Sequence, residues 1–219
     1  MTERRAFAIG AHPDDVEIYC LGLLLKLQDL GWAVGWAVAT DGQAGLPPGA
    51  PAGLRRTEAA VAGATVGVEP VLLGLMDGQL VGTPEEARAV RAAIADFRPT
   101  VLITHSTDDY HPDHRTLSRL VAEACPPETA LLYAEPMLGS GPTPERLVDI
   151  TAQYDRKRAA LSAHASQSAP AFVPAFETWS GFRALHCGVR GARHAEGFFY
   201  RSSVASRPAL ALLERALSI

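Results

Sequence analysis

Cysteine is scarce in this chain of 219 residues and scattered: Cys20, Cys125 and Cys187 lie far apart and are odd in number. That excludes a disulfide framework and a CxxC-type zinc site, and it points to a reduced, cytoplasmic setting. Positive charge is not in excess either. Lys and Arg number 20 against 24 Asp and Glu, for a formal net charge of −4, with no basic tail or basic amphipathic stretch. No nucleic-acid partner is expected. Long apolar runs are missing, so no segment approaches the roughly 18 apolar residues of a membrane span, and no membrane association is expected. The charged start MTERRAFAIGAH lacks the apolar core and cleavage site of a signal peptide. No G-x-G-x-x-G follows the first apolar run, which argues against a nucleotide-binding module. What is present, 47% hydrophobic residues, suffices for one domain over residues 1–219 with a substantial core.

Short apolar runs alternate with longer amphipathic ones. RAFAIGA (Arg5 to Ala11) reads as a buried strand, Val16 to Leu30 as a helix stopped by Gly31, and AVGWAVAT (Ala33 to Thr40) as a second strand. DGQAGLPPGAPAG, Asp41 to Gly53, is too rich in Gly and Pro to be anything but a loop. Its length suits either a lid or a surface contact. Leu54 to Val66 is helical and Pro70 to Leu75 is a third strand. Thr83-Pro84-Glu85-Glu86 starts a helix, with acids in its first turn, that runs to Phe97. Thr100 to His105 is a fourth strand, Asp113 to Ala124 a helix and Ala130 to Glu135 a fifth strand. Leu147 to Thr151 is a sixth strand and Gln153 to His164 a helix. Beyond Gln167 the signals weaken, with Phe198-Phe199-Tyr200 as a strand candidate. The alternation predicts an α/β, Rossmann-like three-layer fold, its mostly parallel sheet covered by helices on both faces.

In such sheets ligands sit outside the carboxyl ends of the strands, and polar residues gather at that edge. His12-Pro13-Asp14-Asp15 follows strand one, with Glu17 two residues on. Asp41 follows strand two, Met76-Asp77-Gly78 strand three, and HSTDDYHPDH (His105 to His114) strand four. Either His/Asp cluster alone fits a helix cap. Both clusters at strand ends of one sheet are harder to explain as caps, because buried carboxylates need partners. Zinc takes His nitrogen and carboxylate oxygen and keeps a position open for water in catalytic sites. His12, Asp15 and His114 form a candidate triad, whose bound water would become a hydroxide-like nucleophile. Asp14 would stand beside that water as base, His111 could protonate a leaving group, and Asp113 could hold the His111 ring. Spacing alone does not rank Asp14 against Asp15 for these duties, and Fe2+ suits the donors as well as Zn2+.

Together these motifs resemble the zinc-dependent N-acetylglucosamine de-N-acetylase superfamily (PIG-L and LmbE-like). Ala11-His12-Pro13-Asp14-Asp15-Val16-Glu17 matches its AHPDD motif with a nearby Glu, and His111-Pro112-Asp113-His114 matches its HPDH motif. Further matches are Thr40-Asp41-Gly42, an R-x-x-E helix at Arg55 to Glu58, Asp77-Gly78, KRAALSAHASQ from Lys157 to Gln167, and Ala195-Glu196-Gly197-Phe198. The resemblance implies His12, Asp15 and His114 as metal ligands, Asp14 as general base, His111 as general acid and oxyanion helper, and Asp113 as its orienter. It also implies hydrolysis of an acetamide on a small GlcNAc conjugate, and a homo-oligomer, trimer or hexamer. The likeness is nearest to the bacillithiol-biosynthesis branch, which acts on N-acetylglucosaminyl-malate. Arg55 then falls where the family meets substrate, and a dicarboxylate aglycone would want an arginine. Tyr19 and Tyr110 depart from the pattern, standing where family members often have Gly and Arg, and this bears on aglycone choice. His105 is expected to end its strand as a satisfied polar residue, and His164, Ser166 and Gln167 to make structural hydrogen bonds.

Other readings stay open. A deacetylase of another acylamino sugar or a chito-oligosaccharide keeps the chemistry. A non-haem Fe(II) oxygenase shares the two-histidine, one-carboxylate set but leaves Asp14 and His111 without a role. An inactive metal-binding relative would keep every motif.

Overall fold

β1 (Arg5–Gly10) is apolar and buried after Arg5 because both of its faces are covered. Ala6 and Ala8 enter one apolar cluster, Phe7 and Ile9 the other. The same alternation runs through β2 (Ala33–Thr40), with Trp36 and Val38 opposite Ala37 and Ala39, and through β4 (Val101–His105). The computed structural model describes residues 3–137, 143–167, 169–201 and 203–218, the side chains of 169 and 170 excepted. Adding β3 (Val71–Leu75), β5 (Ala130–Ala134), β6 (Arg146–Asp149) and β7 (Ala195–Arg201) gives one sheet in the order β3-β2-β1-β4-β5-β7-β6. The first five strands in that order are parallel, and β7 runs antiparallel to both β5 and β6. The chain winds outward from β1 to β3 and then crosses back to place β4 against β1. The two central strands therefore flank the topological switch point, where such sheets bind ligands.

Eight helices are described: α1 (Asp15–Tyr19), α2 (Leu21–Asp29), α3 (Leu54–Val66), α4 (Pro84–Phe97), α5 (Pro112–Ala124), α6 (Tyr154–Ser162), α7 (Ala169–Ala184) and α8 (Arg207–Leu217). α4 and α5 cover one face through Val90, Ile94, Leu117 and Val121. α2, α3, α6 and α8 cover the other through Leu23, Ala62, Leu161 and Leu213. The three-layer α/β expectation holds. So does the start of α4, where Thr83 and Glu86 form a reciprocal capping box.

Three features differ from the sequence reading. The helix expected over Val16 to Leu30 is broken at Cys20, whose φ of −150° is not helical. The cause lies far along the chain: the Glu196 carboxylate on β7 accepts the Gly22 and Leu23 N–H groups, both at 2.8 Å, and so caps a second helix. Beside β5, β7 and the edge strand β6 add an antiparallel ribbon to the parallel sheet. Two helices stand where the sequence reading placed none: α7, which lacks a clear apolar period and has Pro174 inside it, and α8, which buries Ala209, Leu213 and Leu217 along one face. No helix among the described residues is long and apolar enough to cross a membrane.

Candidate active site

β1 delivers His12 to Asp15 and β4 with the loop after it delivers His105 to His114, side by side at the carboxyl edge. The chain after β1 turns so tightly that a Cβ on Gly10 would lie 2.9 Å from the Asp15 Cβ. Asp14 takes a φ of 118°, which side-chain-bearing residues rarely adopt. The His12 N–H donates to Asp15 Oδ2 at 2.6 Å and fixes the carboxylate.

The expected triad comes together. His12 Nδ1 and His114 Nε2 are 3.2 Å apart, and each lies 3.3 Å from Asp15 Oδ2. Tetrahedral ligands bound at about 2.0–2.1 Å stand roughly 3.3–3.4 Å from one another. The three atoms thus fit three corners of a zinc-sized tetrahedron, and their lone pairs repel unless a cation or proton sits among them. The opposite ring nitrogens are also occupied. His12 Nε2 lies 3.1 Å from Asp77 Oδ1 and 3.3 Å from Asp113 Oδ2, and His114 Nδ1 lies 3.1 Å from Asp109 Oδ2, off the straight hydrogen-bond line. Carboxylates behind imidazoles orient metal-binding histidines and raise their basicity. Burial opposes charge on His12, but Asp15, Asp113 and Asp77 outweigh it and lift its pKa to about 12. His114 is raised to about 9, burial being outweighed by Asp15 and Asp109. Burial likewise works against ionised Asp15, yet His114, His105 and His12 hold its carboxyl well below the usual range.

His105 stacks on His114 with ring centroids 3.8 Å apart, and its Nε2 lies 3.1 Å from Asp15. That nitrogen accepts the Ala11 N–H at 3.0 Å, so its lone pair is spent. His105 thus supports the cluster without completing it. Asp41 accepts the Gln43 N–H within its own loop.

Asp14 stands beside the triad, buried, with its pKa pushed up to about 7 by burial against the pull of Arg55. Two side chains make contacts other than those expected. Arg55 is buried, and its Nη2 donates to Pro13 O at 2.5 Å and Asp14 Oδ1 at 2.9 Å, with Gly42 O 3.4 Å from Nη1. Both terminal nitrogens of the guanidinium are thus engaged in holding Asp14 and the chain around it, while Nε has no partner among the described residues. The Asp113 carboxylate does not orient His111. It accepts the Gly78 and Leu80 N–H groups and meets His12 instead, while the Asp113 backbone N–H donates to His111 Nδ1 at 3.2 Å. His111 thereby caps α5 and is held as the Nε2–H tautomer. Its pKa is lowered by burial and by the charges of His12 and His114.

Asp77 and Asp109 are the partners that sequence reasoning missed. Their signal was a carboxylate just past a strand end, which cannot tell Asp109 from Asp108. The later motifs lock this floor from behind. His164 Nε2 meets Glu17 at 3.1 Å, the Ser166 N–H and hydroxyl both donate to Glu58 on α3, and Lys157 donates to Ile18 O and Glu196. Above the floor opens a cavity of about 350 Å³, lined by His12, Asp14, Asp15, Arg55 and His111 together with aromatic side chains.

A cluster that could hold a cation, with a buried carboxyl at its side at the switch point of a doubly wound sheet, is the equipment of a metal-dependent hydrolase. Comparison with known proteins narrows that class to the N-deacetylases. The chain belongs to the PIG-L family, whose model, described as GlcNAc-PI de-N-acetylase, matches residues 7–125. A 1D-myo-inositol 2-acetamido-2-deoxy-alpha-D-glucopyranoside deacetylase of Nakamurella multipartita is 30% identical over 74% of this chain and 79% of its own length. A probable N-acetyl-alpha-D-glucosaminyl L-malate deacetylase 2 of Bacillus cereus is 28% identical over 76% of this chain and 84% of its own. Among solved structures, a conserved protein of Thermus thermophilus superposes with a TM-score of 0.77 at 29% identity, covering 93% of this chain and 97% of the other.

Proposed function

We propose that this protein is a zinc-dependent hydrolase that removes the N-acetyl group from a small GlcNAc conjugate, with His12, Asp15 and His114 as the metal ligands. The observation that carries the reading is the triangle of three lone pairs, 3.2–3.3 Å on a side, with buried Asp14 next to it. Zinc held there supplies polarisation of the amide carbonyl and activation of a water molecule. Asp14, with a pKa near the working pH, takes the proton of the attacking water. Arg55 aims that carboxylate. His111 presents Nε2–H to the cavity, where it donates to the oxyanion of the tetrahedral intermediate. A neutral imidazole whose Nδ1 accepts a backbone N–H has no second proton to give. The proton that leaves with the amine therefore returns from Asp14, and acetate is the other product. This differs from the general-acid duty expected of His111 from the family resemblance.

Named relatives carry inositol or malate on the amino sugar. Malate stays among the conjugates to assay, although the arginine offered for its carboxylates is engaged with Asp14. Acetate release by the zinc-loaded protein tests the reading, with N-acetylglucosaminyl-malate beside the inositol conjugate, GlcNAc and chitobiose. Release from at least one conjugate, lost on chelation and restored by zinc, is expected. Zinc binding without release from any of them overturns it.

A further inference from the structure

Resting on the deacetylase reading, we propose that the cavity above the metal seat is a subsite for an apolar aglycone, an aryl or alkyl group on the amino sugar. Tyr19 and Tyr110 both line the cavity. Tyr110 is 49% exposed and Phe172 42% exposed, from different elements at the same opening. Exposed large aromatics that rim a cavity mark a binding surface far better than scattered ones do. Below Phe172 the rings step inward along α7. Phe172 and Phe176, both lining the cavity, have centroids 6.2 Å apart, within the range of favourable aromatic contact. Ile18 and Met137 complete the apolar wall.

Charge argues the same way. Among the described lining residues the only Lys or Arg is Arg55, already engaged with Asp14, Pro13 and Gly42. Beyond the metal seat an acidic aglycone would find no unengaged Lys or Arg among the described lining residues, whereas an apolar group leaves water for ring faces. Such pockets are mostly apolar, with a few polar groups that fix orientation.

The test compares methyl, phenyl, malyl and chitobiose-type N-acetylglucosaminides, by acetate release and by calorimetric binding to the zinc-loaded chain. The phenyl glycoside is expected to exceed the methyl glycoside by about tenfold or more in kcat/KM and in affinity. Phe172→Ala should collapse that ratio, and Tyr110→Arg should shift preference from phenyl towards malyl. Tighter phenyl binding with no acetate from any conjugate would remove the deacetylase reading and keep the apolar subsite. Equal phenyl and methyl values, or a malyl or chitobiose conjugate ahead of phenyl, overturn the proposal. So does a Phe172→Ala protein that changes only its oligomeric size, because the face would then belong to a second copy.

Discussion

Asp14 holds a backbone conformation that few residues tolerate, and Arg55 fastens it there. Asp14→Asn should keep zinc and lose about 10²–10⁴ in kcat, read by metal content alongside turnover. Arg55→Lys keeps the charge but loses the fork that spans Pro13 and Asp14; its kcat should fall while KM for the conjugate changes little. His111→Gln retains an N–H donor and should cost about tenfold, against roughly 10²–10³ for His111→Ala. Equal losses in the two variants would return His111 to the general-acid role. The histidines also set a pH dependence. Without metal, native His114 titrates near 9 and His12 near 12, against about 6.5 when unfolded. The native state then binds more protons, so the stability that these groups contribute is complete below about pH 6.5 and falls above it, the share of His114 being lost by about pH 9 and that of His12 only by about pH 12. Zinc must displace those protons, so its affinity should climb over the same interval, measurable by competition with a chromophoric chelator. The clustering of His12, Asp15 and His114 was legible because each sits in a short contiguous motif. Asp77 and Asp109 were not, because their pairing with imidazoles depends on loop paths that no local spacing encodes.

α1 and α2 read as one helix from their apolar pattern, and no residue within that stretch announces the break at Cys20. The instruction comes from Glu196, whose carboxylate binds the α2 N-terminus and the Lys157 ammonium, all of them buried. A Cβ on Gly22 would lie 2.7 Å from that carboxylate, so the position accommodates glycine alone without a shift. Glu196→Gln leaves Lys157 facing a neutral partner and turns an amide donor towards the helix N–H groups. It should destabilise the fold by about 2–4 kcal/mol, read as a lower urea midpoint at unchanged slope. The K-x-x-A-L and A-E-G-F motifs thus act by joining α6 and β7 to the helix that follows the metal loop. α7 escaped the sequence reading because it is apolar around much of its surface and contains Pro174, so neither period nor breaker was decisive. It turned out to carry the aromatic wall of the cavity.

Strand order could be inferred only in part. Alternation of strands and helices foretold a parallel sheet with helices on both faces, whereas the antiparallel insertion of β7 between β5 and β6 has no signature in alternation. That the two His/Asp motifs meet follows from β1 and β4 being neighbours, a property of the whole winding. Zinc at about 100 times its dissociation constant should raise the unfolding free energy by about 2.7 kcal/mol, seen as a higher Tm lost on chelation. The meeting of His12 with His114 spans 102 positions of chain. An ion bound there is also a reversible crosslink. It pins the ends of the two central strands and closes a loop whose freedom the unfolded chain would otherwise recover, an entropic restraint of the kind that a long-range disulfide exerts. Amide hydrogens of β1 and β4 should therefore gain the most protection from exchange when metal binds, and those of the outer ribbon β6–β7 the least.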